Sequence, residues 1–159
     1  MAYMKFVGKT DVSKYKDSDS FKDVVNYITN PLKAISIGFA NVSTLETAAA
    51  EMEAVAIQGR KSPGKKLCHI VITFSPGELR LLSHNSIHDI ASQCLQYFSC
   101  RYQVVWATHN SSGVHIHLVL NRVSFVDFKR YPDRYEDRNH FWMFLYHLLS
   151  NYNIRLWKS

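Results

Sequence analysis

The sequence predicts an α+β domain: a central antiparallel β-sheet flanked by helices. Three observations carry this. Residues 102–108 and 114–123 read as consecutive strands, and the connector 109–113 has hairpin chemistry, with Gly113 free to take positive φ. A sheet that contains a hairpin is at least partly antiparallel, which favours a layered α+β fold over a doubly wound one. Finally, the 159 residues are 47% hydrophobic and 13% aromatic but only 20% charged, enough for one buried core and unlike a disordered chain.

The elements follow in order. Residues 3–7 suit an edge strand, and 9–16 are polar and loop-like. Ser20 reads as the N-cap of a helix in which Phe21, Val24, Val25 and Ile28 share one face. Pro31 ends it, because the residue before a proline is pushed out of the αR region. A short strand is expected at 35–41. Ser43 and Glu46 have capping-box spacing before a second helix, which stops near Gln58 and Gly59. Residues 60–66 form a turn-rich basic loop, and 68–74 a strong strand bounded by Pro76 and Gly77. One long helix is expected over 78–98. After the hairpin, 125–131 suit a further edge strand, 127–138 a charged loop, 139–152 a helix and 154–157 a short strand. Nothing splits the chain, so residues 1–159 are read as one domain.

Composition excludes several classes. No run of about 18 apolar residues exists to span a membrane. The N-terminus lacks an apolar signal core, so a cytoplasmic location is expected. Three cysteines without CxxC spacing fit neither a disulfide framework nor a thiolate zinc site, and Cys94 and Cys100 read as reduced packing thiols. A net charge of +6 suggests a polyanionic partner.

Three of the eight histidines fall within nine positions. On a strand, His115 and His117 point to one side together with Val119 and Asn121, and Val114, Ile116, Leu118 and Leu120 to the other, where the helices are expected to pack. His109 ends the preceding strand, and a short turn can bring its ring beside that pair. Three neutral imidazoles converging from two strands make a divalent-metal site with open positions. A histidine pair alone is more often ordinary exposed polar surface; the third histidine puts the two readings level. His69 shares a strand face with Val71 and Thr73. It suits either a structural role or a group supporting the metal or a phosphate. His84, His88, His140 and His147 show no convergence and read as helix residues.

The motifs carry a resemblance. Asn26-Tyr-Ile-Thr-Asn-Pro-Leu-Lys33 resembles the first motif of relaxases, the mobilisation endonucleases that start conjugative DNA transfer. The stretch from His69 to Glu78 is similar to their second motif. His109, followed by His115-Ile-His117-Leu-Val-Leu-Asn121, resembles the third, with its histidine–hydrophobe–histidine (HUH) signature. Order and intervals match over about residues 20–157. The nearest branch looks like VirD2-like relaxases of Gram-positive mobile elements. One departure is a shortened connector with Ser111 where relatives usually carry an acidic residue.

The resemblance implies an HUH-endonuclease fold and site- and strand-specific nicking of single-stranded DNA at a transfer origin. It implies Tyr27 as nucleophile, a 5′-phosphotyrosyl intermediate and a free 3′-hydroxyl. His109, His115 and His117 would hold Mg²⁺ or Mn²⁺, although imidazoles also accept other transition ions. From the residues alone, Tyr27 sits on the flank of its helix's apolar face, where packing with its hydroxyl in water is the simpler reading. Tyr15 and Tyr102 are the alternatives. His69 and Asn121 are candidates to support the metal or bind phosphate. Lys33, Arg60, Lys61, Lys65, Lys66 and Arg122 are candidate DNA contacts, and Trp106, Tyr131 and Tyr135 candidate stacking platforms. Accessory relaxosome proteins are expected as partners, and relatives commonly continue into further domains. The rival readings are a rolling-circle replication initiator and a non-catalytic DNA-binding module with a decayed site.

Overall fold

The computed structural model describes residues 1–7, 19–59, 64–111 and 113–158. The elements are β1 (Ala2–Val7), α1 (Ser20–Ile28), β2 (Ala34–Ala40), α2 (Ala48–Gln58), β3 (Leu67–Thr73) and α3 (Pro76–Leu79). They continue with α4 (His84–Ser99), β4 (Val104–Asn110), β5 (Val114–Asn121), α5 (Tyr135–Ser150) and β6 (Leu156–Trp157). The described strands form a six-stranded sheet in the order β2-β4-β5-β3-β1-β6. Neighbours are antiparallel except β1 and β6, which pair in parallel over two residues. The α+β expectation therefore holds, and the β4–β5 hairpin is central. Gly113 takes φ +112°, as its turn requires.

Both faces of the hairpin are apolar, so both need cover. On one face, Ile70, Ile72, Trp106, Ile116 and Leu118 pack with Ile87, Ile90 and Cys94 of α4 and Phe141 and Leu145 of α5. On the other, Val105, Ala107 and Val119 pack with Phe21, Val24, Val25 and Ile28 of α1 and Met52 of α2. The sequence reading put the helices opposite the histidines. That is corrected: α1 and α2 lie on the histidine face and leave only one end of it open, and α4 and α5 lie opposite.

Smaller differences are local. The helix expected over 78–98 is two, because Ser83 caps α4 by accepting the Ser86 amide. The Ser43–Glu46 capping box does not form; the Glu51 carboxylate accepts the Ser43 amide instead, from one turn further along. Residues 125–131 contribute only a bridge between Val123 and Arg130. The first turn of α5 begins at Tyr135, inside the stretch read as loop, with the Arg134 amide donating to Asp137. Residues 3–7 belong to β1, which lies between β3 and β6 rather than at the edge. Cys68 and Cys94 are buried free thiols, whereas Cys100 is exposed. The 9–16 segment lies outside the described residues. Among those described, no helix is long and apolar enough to cross a membrane.

Gly38 of β2 lets the backbone lie directly on the buried Trp106 indole. A Cβ there would stand 2.3 Å from Trp106 Nε1. The indole is 2% exposed and held edge-on by His88, so it cannot step aside. Gly38→Ala is expected to lower stability by about 1–3 kcal/mol, the usual cost of overpacking. A urea unfolding midpoint unchanged from wild type would contradict this.

Candidate metal centre and nucleophile

The register of the hairpin builds the site. His109 of β4 stands directly opposite His115 of β5, and His117 stands opposite Ala107, so all three imidazoles rise from the same face. Ala107 occupies little volume and leaves the rings room to converge. Ring centroids are 4.4 Å apart for His109 and His117, 5.0 Å for His115 and His117, and 5.6 Å for His109 and His115. One nitrogen from each ring lies within 4.8 Å of the others, a spacing that could hold one ion. His109 and His117 are buried and His115 is partly exposed, so the site opens to solvent on one side.

Two of the rings are oriented from outside. His109 Nε2 lies 2.6 Å from the carbonyl oxygen of Ile28, the end of α1. A carbonyl can only accept, so Nε2 carries the proton and Nδ1 keeps its lone pair. The terminal carbonyls of a helix lack partners within it, and this one is satisfied by the histidine. His117 Nδ1 lies 2.9 Å from His69 Nε2, and its Nε2 is buried without a hydrogen-bond partner among the described residues. A buried imidazole nitrogen in that condition needs a partner, and beside two further imidazoles a cation supplies one. The donor set therefore fits a divalent ion.

Burial makes these rings ready ligands. Desolvation, then the neighbouring His69, His109 and His115, pushes His117 down to about 3. Desolvation and then His109 push His69 down to about 4. His115 also lies below its ordinary value, chiefly through desolvation. His69, His115 and His117 are thereby neutral near pH 7, and for His115 and His117 the neutral ring is the form that binds metal. In the unfolded chain such groups titrate near 6.5. Below that value the unfolded chain takes up protons that the folded one refuses. The metal-free protein is expected to lose stability as pH falls from about 6.5 toward 4, with no contribution from these groups above 7. Urea midpoints at pH 7.5 and 5.0 check this, and a higher midpoint at 5.0 would contradict it.

Tyr27 comes to the same place from a distant part of the chain. Its ring meets His109 and His117 edge-on, with centroids 6.1 and 5.9 Å away. It is 50% exposed, so its hydroxyl is not locked into the core. The flank position read from the helix periodicity is what allows this: Val24, Val25 and Ile28 turn inward while Tyr27 looks over the opening. The turn after α1 is fixed by Asn30, whose side chain accepts the Leu32 amide and whose carbonyl accepts the amides of Lys33 and Ala34. This turn sets Lys33 Nζ 5.3 Å from the Tyr27 ring centroid, a cation beside the phenol.

The other candidates do not gather here. Asn121 is fully buried, and its amide donates to the Met52 carbonyl and to Gln103. It ties β5 to α2 and is corrected as a phosphate or ligand-supporting group. Leu67 pairs with Asn121 and Thr73 with His115, so Lys65, Lys66 and Arg122 cluster about 20 Å along the strands from His115. Lys66 bonds Glu53 at 2.6 Å, and Arg122 donates to the carbonyls of Tyr131 and Pro132. Arg60, Lys61 and Tyr15 lie outside the described residues. Tyr102 packs edge-on to Tyr131, and Trp106 and Tyr131 are core residues rather than exposed platforms. Tyr135 is exposed on α5, which packs on the opposite face. His84, His88, His140 and His147 are exposed on helices. The Ile28 carbonyl was missed, because a backbone acceptor leaves no mark in a sequence.

Comparison with known proteins fits this geometry. The chain is similar in structure to the MobM relaxase domain (MOBV; Mob_Pre), solved Mn-bound with plasmid pMV158 oriT DNA. The two share 11% identity at a TM-score of 0.64, over 100% of this chain and 89% of that one, so the likeness is one of fold. No curated protein matches the sequence. A family model, the nuclease domain of MobA/VirD2-like relaxases, matches residues 27–154. That span starts at Tyr27 and takes in His69, His109, His115 and His117, and the chain belongs to the MobA/VirD2-like relaxase family.

Proposed function

We propose that this chain nicks single-stranded DNA at a transfer origin, site- and strand-specifically, by a metal-dependent transesterification with Tyr27 as nucleophile. One observation carries the reading. A half-exposed tyrosine from α1 packs against two of three converging histidines from β4 and β5.

The phenol oxygen of Tyr27 attacks the scissile phosphorus. The bond to the 3′-oxygen breaks and the tyrosyl–phosphorus bond forms, so the DNA 5′-phosphate stays on the protein and a 3′-hydroxyl is released. The phenol proton passes to solvent and the leaving oxygen takes one back. The new ester is again a phosphodiester, so the reaction can run backwards and rejoin the strand. His109, His115 and His117 would hold the ion, which when bound withdraws charge from the non-bridging phosphate oxygens. Lys33 beside Tyr27 offers a positive charge to the same phosphate. In this reading the chain works in the cytoplasm with accessory relaxosome proteins and begins conjugative transfer or mobilisation.

The neighbouring MobM domain is Mn-bound, and the donor set here supports a similar ion. Three imidazoles, with no carboxylate among the described residues of the cluster, favour ions late in the divalent series. Affinity is expected to rise from Mg²⁺ to Mn²⁺ to Co²⁺, measured by calorimetry on the metal-free protein. Mg²⁺ binding tighter than Co²⁺ would contradict the donor set.

The direct test incubates the protein and Mn²⁺ with labelled single-stranded oligonucleotides tiled across the DNA flanking its own coding sequence. A denaturing protein gel should show a covalent protein–DNA band with one oligonucleotide and its overlaps. No band on any of them, from protein that binds the ion, would overturn the nicking reading.

A further inference from the structure

The proposed metal site leaves open why His117 presents the correct nitrogen. We propose that His69 is a positioning residue: it accepts the Nδ1 proton of His117 and so keeps His117 Nε2 as a free lone pair facing the ion. The inference rests on the metal reading of the three histidines and goes beyond it.

The sheet register creates the contact. His69 of β3 is paired with Val119, and His117 with Val71, so the two histidines are diagonal neighbours on one face. Diagonal positions are within reach of long or aromatic side chains. The rings lie 5.1 Å apart between centroids, with 2.9 Å between the two nitrogens, and both residues are buried.

Two neutral rings can share this hydrogen bond in only two ways. If His69 Nε2 is the donor, His117 Nδ1 is the acceptor and the proton of His117 sits on Nε2. That N–H is then buried with no acceptor among the described residues, and it blocks the ion. If His117 Nδ1 is the donor, His69 Nε2 is the acceptor, and the buried Nε2 of His117 carries an available lone pair beside His109 and His115. Only the second arrangement suits a cation. It parallels His109, whose protonated nitrogen is taken by the Ile28 carbonyl. The two buried ligands thus have their tautomers set by different partners, a backbone carbonyl and an imidazole. A neutral imidazole adds no negative charge, so it orients the ligand without weakening the ion's pull on phosphate oxygens.

The test uses the full chain without DNA. Mn²⁺ and Co²⁺ are titrated calorimetrically into wild type, His69→Leu and His69→Gln. Losing an outer hydrogen-bond partner of a metal histidine costs about 10–100-fold in affinity, and His69→Leu should show that loss. His69→Gln keeps an acceptor oxygen near the original nitrogen and should stay within about 3-fold of wild type, since the outer contact is retained. Nitrogen NMR of the metal-free wild type should find His117 protonated on Nδ1. Three results overturn the proposal: equal affinity in wild type and His69→Leu, equal loss in both variants, or His117 protonated on Nε2. A wild type that binds neither ion overturns the metal reading, and this proposal with it.

Discussion

Tyr27→Phe is expected to abolish the covalent protein–DNA adduct while leaving DNA and metal binding within a few-fold of wild type. The substitution removes one oxygen and nothing else. The ring stays edge-on to His109 and His117 and beside Lys33, so the fold and the surface offered to DNA are preserved. What disappears is the atom that bonds to phosphorus. Deleting a nucleophile that acts with its partners as a unit costs on the order of 10⁴-fold or more in rate, which a denaturing gel reads as loss of the band. An undiminished band would move the nucleophile to another tyrosine. Reduced oligonucleotide binding by the variant would mean the hydroxyl serves binding rather than bond formation.

His117→Ala is expected to have the second-largest effect, on metal binding itself. His117 is the buried member of the trio whose Nε2 has no partner among the described residues, so it has the most to gain from an ion. Removing a ligand should cost at least the upper end of the roughly 100-fold that loss of a mere outer partner costs. Metal at 100 times the wild-type Kd stabilises wild type by about 2.7 kcal/mol, and after a 100-fold loss in affinity the same metal gives about 0.4 kcal/mol. Thermal unfolding with and without Co²⁺ should therefore shift strongly for wild type and hardly at all for the variant. An equal shift in both would place the ion elsewhere. His115→Ala should follow the same direction with a smaller change, because His115 is partly exposed and water can take its place.

The site was legible where it depends on strand alternation, because alternation is local. His115, His117 and Val119 were placed on one face from spacing alone, and their pairing confirms that face. Proximity was not legible from the same rule. Asn121 obeys the alternation as well as His117 does, yet four residues further along a strand is about 13 Å, and it ends inside the core. Helix periodicity had a similar limit. It showed that Phe21, Val24, Val25 and Ile28 form an apolar stripe, but a stripe does not say which side of a sheet it will cover. That depended on the second apolar face of the hairpin, Val105, Ala107 and Val119, needing a partner. Trp106 was unreadable for a related reason: a large aromatic on a strand looks the same whether it awaits a base or lies under Gly38.

The hydrogen bond from His109 to the Ile28 carbonyl joins residues 81 apart in sequence. Its donor is one ring of the histidine cluster, and its acceptor is the residue next to Tyr27. Tyr27 and the three histidines, the proposed nucleophile and ion site, are thereby held at a set separation by the folded core. Placing reacting groups in advance raises their effective concentration on one another, because the entropy of orienting them has been spent in folding rather than in binding. The same closure makes α1 intolerant of length changes. Deleting one residue between its start and Tyr27 would turn the phenol about 100° around the helix axis, away from the cleft, even with every ligand in place.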